Sequence, residues 1–330
     1  MRHLILPLAA LGCAAWLAAP AVAAQAATTT QATRTMWATQ TTQATQATQA
    51  TQCLSPSSAE SAAVPWAEQR LDPQRVWTMT QGAGQVVAVV DSGVSASAPA
   101  LSGAVLPGRN MLGSGDGNSD CLGHGTFTAG IIAARPLAGS GLVGLAPQAR
   151  ILPVSVVSAA QTESGDTTTS SSAVAEGIRY AVQAGATIID VSTATTPGPS
   201  SALASAVGYA LSHNVIVIAP VGVSTGTTSQ NTASYSGVIA VSAVDSSGDP
   251  VAAGQAGVRV DLAAPGSSLT STGPSGRGTI TGSGSSLATG FVAGTAALVR
   301  SYYPSLSAAQ VVRRLESTAD QSGISAPDPE

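Results

Sequence analysis

Three short segments of this sequence carry residue types that do chemistry together. Asp91-Ser92-Gly93 closes the apolar run VVAVV, Gly123-His124-Gly125-Thr126 precedes FTAGIIAA, and Gly284-Ser285-Ser286-Leu287-Ala288-Thr289 precedes FVAGTAALV. A serine hydroxyl attacks well only when a base takes its proton. An imidazole, with an unperturbed pKa of about 6.5, suits that task near neutrality; a carboxylate fixes its tautomer and stabilises the imidazolium. Asp91, His124 and Ser286 are the candidate acid, base and nucleophile. With Ser286 at a helix start, N–H groups of the first turn would face the charge developing on a tetrahedral oxygen. Gly123 and Gly125 are expected to let a substrate backbone approach. His213, in the plain helix end LSHN, reads as a surface or capping residue. Each segment is weak alone, because strand-end aspartates are common and the chain is rich in Ser-x-Ala strings. Their force is in combination.

Positioning such distant residues needs a frame. Continuous apolar runs at 86–90, 151–157, 187–191, 215–219 and 238–244 read as buried parallel strands. Helical patterns alternate with them. The stretch 172–184 puts Val174, Ile178 and Val182 on one face, with Gly185 as its stop. A second helix follows at 202–213. Ser307-Ala308-Ala309-Gln310 has the form of a capping box and opens a helix through Leu315. Strand and helix in alternation imply an α/β domain with a mostly parallel sheet, ligands meeting it at the carboxyl ends of the strands. Asp91 stands at one such end.

The chain starts with Met1-Arg2-His3, runs apolar from Leu4, and reaches Ala21-Val22-Ala23. This is the pattern of a secretory signal cleaved after Ala23 or Ala26 rather than of a retained anchor. A lipoprotein signal would need Leu three residues before Cys13, where Ala10 stands. Repeated Thr-Gln-Ala up to Gln52 cannot bury enough apolar surface to fold and reads as an extended linker. Signal removal leaves Cys53 and Cys121: two separate thiols or one bridge, and export favours the bridge. The expected organisation is a signal at 1–26, a low-complexity linker and N-terminal extension at 27–63, a globular domain at 64–320 and a polar tail at 321–330. No apolar run of about 18 residues closes the sequence, so no C-terminal anchor is read. The expected place is outside the cell or in its envelope.

Composition removes other classes. With a formal net charge of −4 and no basic run, a nucleic-acid partner is not expected. Aromatic residues at 3% are too few for a sugar-stacking platform. No Cys or His cluster has metal-ligand spacing, so no metal or other cofactor is expected.

The order Asp, His, Ser is that of subtilisin, and the sequence resembles the subtilisin-like serine proteases, in particular the mycosins of actinobacterial type VII secretion. The segments that carry the resemblance are VPWAEQRLDPQRVWTMTQGAGQVVAVVDSGV, GDGNSDCLGHGTFTAGIIAA, GLVGLAPQARILPV, VIAVSAVD, VDLAAPG and YPSLSAAQVVRRLESTAD. The resemblance implies a three-layer subtilisin-like fold, a triad of Asp91, His124 and Ser286, and an N-terminal extension held by a disulfide, matching Cys53 and Cys121. It implies a peptide or protein substrate and an association with type VII secretion machinery; a monomer is expected. Three departures stand out. The family's oxyanion-hole Asn, in an AAGN segment, aligns with Val223, which donates nothing. The substrate-flanking SLGG segment is Ser192-Thr193-Ala194-Thr195, where Thr195 is expected to crowd a peptide. GTSMATP has become GSSLATG, with Ser285 for Thr and Gly290 for Pro. The expectation is a secreted serine endopeptidase, attenuated at Val223; the alternative is a weak or inactive relative serving as a scaffold in a secretion complex.

Overall fold

Runs of β-branched residues with no polar face can be buried only between two layers, and here they form the middle layer. The computed structural model describes residues 53–157, 169–195, 198–221, 231–251 and 259–320. The expected signal, most of the linker and the expected tail lie outside the described residues, as does Val223. Strands β1 (Val86–Asp91), β2 (Arg109–Asn110), β3 (Arg150–Ser155), β4 (Ile188–Val191), β5 (Ile216–Pro220), β6 (Val238–Val244) and β7 (Leu262–Pro265) make a 7-stranded sheet in the order β2-β3-β1-β4-β5-β6-β7. Every pairing in it is parallel. A separate antiparallel pair joins β8 (Leu269–Thr272) to β9 (Thr279–Gly282).

Side chains alternate between sheet faces, so each strand feeds two cores. Val87, Val89, Ile188, Ile216 and Ile218 pack on one face with Phe127 and Ile131 of α2 (His124–Ala133) and Leu287 and Phe291 of α5 (Ser285–Tyr302). Val311 and Leu315 of α6 (Ala308–Thr318) extend that core. On the other face Ala88, Val90, Ile189 and Val191 meet Val174 and Ile178 of α3 (Ser171–Gln183) and Leu203 and Val207 of α4 (Ser201–Ser212). The result is three layers. Local chemistry fixes the helix ends. Ser170 and Ser200 accept the N–H groups of Ala173 and Leu203, and Ser307 and Gln310 complete the capping box. Beyond α3 the chain turns at Gly185, whose φ of +84° suits glycine. Among the described residues no helix is long and apolar enough to cross a membrane.

After β1 the chain builds β2 and β3 on one side and β4 on the other. Loops therefore diverge at the carboxyl end of β1, the place where ligands meet sheets of this kind. Asp91 is the last residue of β1, and Asp190 lies beside it near the end of β4, with Val89 as its register partner.

Ahead of the sheet, α1 (Trp66–Leu71) follows an extended segment, 53–63, that runs along the molecule. Gly278 N–H donates to Ser57 O at 2.9 Å, Thr279 N–H to Ala59 O at 3.0 Å and Gly141 N–H to Ser61 O at 2.8 Å. Glu60 pairs with Arg277 at 2.9 Å. A disulfide joins Cys53 to Cys121, and Leu54 N–H donates to Cys121 O at 2.8 Å.

Candidate active site

β1 delivers Asp91 to the carboxyl end of the sheet buried and oriented: its Oδ1 accepts the Ser92 N–H at 2.6 Å, leaving Oδ2 for a second partner. That partner is His124, the first residue of α2, whose Nδ1 lies 2.6 Å from Asp91 Oδ2. His124 Nε2 is 2.9 Å from Ser286 Oγ. Residues 33 and 162 positions apart are thus joined in one line of hydrogen bonds. Ser286 is the second residue of α5, so its backbone N–H belongs to the helix's unpaired first turn.

The histidine is aimed by a residue the sequence reading passed over. Asp120 sits just before the expected cysteine, and its carboxylate collects the local donors. Oδ1 accepts from Ser92 Oγ at 2.9 Å, Leu122 N–H at 3.2 Å and Gly123 N–H at 2.8 Å. Oδ2 accepts from Thr126 N–H at 2.8 Å and Thr126 Oγ at 2.7 Å. This satisfies first-turn donors of α2 and locks the turn from which His124 projects. An aspartate four residues ahead of a histidine-led apolar helix is the signal that was there to find.

Electrostatics suit the arrangement. Burial works to lower the His124 pKa, but the Asp91 charge and hydrogen bond, then Asp120 and Asp190, outweigh it, and the net shift is upward. The imidazole lies deep among protein atoms, yet 37% of its side-chain surface stays open to solvent, so desolvation weighs less than its depth alone implies. Burial pushes the Asp120 carboxyl up, against the hydrogen bonds from Thr126 and Gly123. The second carboxyl the sequence reading missed is Asp190. It is 0% exposed, and burial raises its pKa to about 7, with the Asp91 charge adding to the rise.

The two glycines beside His124 make room for the protein's own chain. A Cβ on Gly125 would sit 2.0 Å from Gly93 O, so it lets α2 approach the turn after β1. A Cβ on Gly123 would sit 2.8 Å from Leu54 Cδ2, and Gly123 has φ +81°. Gly290, in place of a proline, lets α5 close on α2: a Cβ there would meet Ile131 and Thr128 at 3.3 Å. His213 is the C-cap of α4, exposed, its Nδ1 2.8 Å from Tyr209 O. Thr195 is buried, and the adjoining Ala194 O already accepts the Thr169 N–H at 2.9 Å. Asn231, near Val223 in sequence, has its amide engaged elsewhere: Nδ2 donates to Val221 O at 2.9 Å. Among the described residues no group of three or more His, Cys, Asp or Glu side chains is placed to hold a metal ion.

Residues 82–329 match the model of the Subtilase family. The chain belongs to the subtilase family. It is 39% identical over 249 residues to subtilisin DY of Bacillus licheniformis, covering 74% of this chain and 87% of that protein. It is 34% identical over 290 residues to mycosin-4 of Mycobacterium tuberculosis, covering 76% of this chain and spanning only 63% of that protein's length. Among solved structures, the serine protease MycP1, described as an essential component of the type VII (ESX-1) secretion system, superposes with a TM-score of 0.72 at 31% identity. That match covers 82% of this chain and 87% of the other. This subtilase is therefore a subtilisin-like serine protease related to the mycosins, and its three-layer parallel-sheet fold is the fold of its structural neighbours.

Proposed function

We propose that this subtilase is an exported, mycosin-like serine endopeptidase that hydrolyses peptide bonds through an acyl-enzyme on Ser286. The observation that carries this is the unbroken line Asp91–His124–Ser286, with distances of 2.6 and 2.9 Å. With His124 neutral, Ser286 Oγ–H donates to Nε2, and Nε2 takes the proton as Oγ bonds the substrate carbonyl carbon. Asp91 Oδ2 accepts from Nδ1–H and stabilises the imidazolium. The tetrahedral oxyanion forms beside the Ser286 N–H at the start of α5. Its collapse breaks the C–N bond, and the leaving amine takes the proton from Nε2. Water then repeats the sequence on the ester, with His124 again as base, releasing the acid and restoring Ser286. Substrates are peptides or proteins, the enzyme works as a monomer outside the cell or in its envelope, and the mycosin relatives support a place beside type VII secretion machinery.

A second reading, a catalytically weak scaffold of such a complex, draws on Val223. At the family's oxyanion Asn position it offers no donor, and Asn231 is held by Val221 O. Loss of such a donor costs on the order of 10²–10³ in turnover. The test is labelling by a fluorophosphonate. Wild type is expected to be labelled and Ser286→Ala not; equal labelling of both would overturn the assignment.

A further inference from the structure

Beneath the line of hydrogen bonds lies a carboxyl group that the catalytic steps do not use. Asp190 is penultimate in β4 and shares its sheet face with Ile188, which packs in the core formed with α2 and α5. It is 0% exposed, and neither carboxyl oxygen completes a hydrogen bond among the described residues. The hydroxyls of Thr289 and Ser192 lie near it and draw its pKa partly back down, without regular bonding geometry. Their chemistry is complementary. Thr289 Oγ already donates to Ser286 O at 2.6 Å, so toward Asp190 it can only accept. Among the described residues Ser192 Oγ has no partner, which leaves its hydroxyl to donate. A neutral carboxylic acid has the chemistry both neighbours call for: an O–H that would donate to Thr289 and a C=O that would accept from Ser192. A carboxylate can accept from Ser192 but gives Thr289 nothing.

We propose that Asp190 is a positioning residue that seats the first turn of α5 on β4 and sets the field beneath His124. Thr289 is the link to the nucleophile: it neighbours Asp190, and its hydroxyl donates to the carbonyl of Ser286, the residue that bears the nucleophile. The charged groups facing Asp190 are Asp91 from β1 and His124 from α2. β5 carries no titratable side chain, and those of α5, Arg300 and Tyr302, lie at its far end. As Asp190 loses its proton, with a pKa of about 7, a new negative charge appears below the imidazole and favours the imidazolium. Asp190 and His124 therefore titrate as a coupled pair, and part of the upward shift of His124 originates in β4.

The proposal rests on the endopeptidase reading only for its catalytic meaning, and its test does not need turnover. Asp190→Asn copies the shape and bonding of the neutral acid and cannot ionise. In imidazole-labelled protein followed by NMR, the His124 midpoint in D190N is expected to fall by about half a unit to one unit relative to wild type. A packing role alone would not move it, and an unchanged or raised midpoint would overturn the proposal. A second measurement needs no variant. In wild type with its aspartates carbon-13-labelled at the carboxyl, the infrared spectrum should show a carboxylic-acid C=O band at about pH 5 that fades through about pH 7. Its absence at the lower pH would equally overturn the neutral-acid bridge.

Discussion

The disulfide between Cys53 and Cys121 brings their Cα atoms to 4.4 Å and lays Leu54 against Gly123, the residue before His124. The extension is thus fastened beside His124, the proposed base. The bridge spans 68 residues, and closing a loop of that length removes about 4 kcal/mol of chain entropy from the unfolded state. Cys53→Ser combined with Cys121→Ser is expected to lower the melting temperature by about 10 °C. Calorimetry with and without reductant checks this. Wild type in reductant should follow the double variant, and identical melting of all samples would deny the bridge a stabilising role.

Asp120 holds five donors at the entrance to α2. Asp120→Ala leaves the buried N–H groups of Gly123 and Thr126 without an acceptor. The expected cost is about 3 kcal/mol, read as a lower urea midpoint. Because His124 springs from that turn, fluorophosphonate labelling of Ser286 should also slow by about tenfold or more. Labelling at the wild-type rate would mean that the turn holds its shape without this carboxylate.

The Asp91–His124–Ser286 line of hydrogen bonds and the sheet were legible for related reasons. A parallel sheet buried on both faces leaves continuous apolar runs, and β1, β4, β5 and β6 are written as such runs. Serine chemistry demands three residue types, and only one of the histidines stands between glycines at a helix start. Asp120 and Asp190 escaped because their work is defined by neighbours distant in sequence. Asp190 lies inside an apolar run, IIDV, where a carboxyl group is itself the anomaly that marks it. Strands β8 and β9 carry Thr, Ser and Gly and give no apolar signal; their pairing is a tertiary fact. The glycines around His124 mark a close approach in the sequence, and the fold shows Leu54 and Gly93 making it. Sequence showed that something passes near; only the fold showed what.

His124 must be neutral to act as base, and its pKa lies above the ordinary 6.5. Burial alone would have lowered it, and the Asp91 carboxylate reverses that. Acylation is therefore expected to rise with pH through a midpoint above 6.5 and to be slow in acid. The same shift makes the Asp91–imidazolium pair stabilising below 6.5, a contribution lost as pH rises through the folded-state value. The labelling rate measured against pH checks the first point. A midpoint at or below 6.5 in wild type would count against the Asp91 pairing in solution.

Val223, outside the described residues, aligns in sequence with the Asn of the family's AAGN segment. If it stands where subtilases supply a side-chain amide, Val223→Asn restores a donor to the oxyanion. Turnover of a peptide substrate should increase by about 10- to 100-fold, somewhat short of a full donor's worth because the new amide is not pre-organised. The gain should appear in kcat with little change in KM, since the donor acts on the transition state. A folded, labelled variant with unchanged kcat would place the donor elsewhere.

Glu68 tests the balance of burial against charge away from the triad. It lies in α1, 4% exposed, with neither carboxyl oxygen hydrogen-bonded among the described residues. Burial raises its pKa from 4.5 to about 7, and its own backbone N–H draws it only partly back, without completing a bond. Between those values the folded chain keeps a proton that the unfolded chain releases. Stability from this group is therefore full in acid and falls as pH rises through about 7. The loss is at most about 3 kcal/mol, from 1.36 kcal/mol per unit. Glu68→Gln cannot ionise and should escape it. Urea unfolding of both proteins at about pH 5 and about pH 9 should show the variant gaining on wild type as pH rises. A difference that stays flat across that range would mean that Glu68 ionises in the folded chain at no cost.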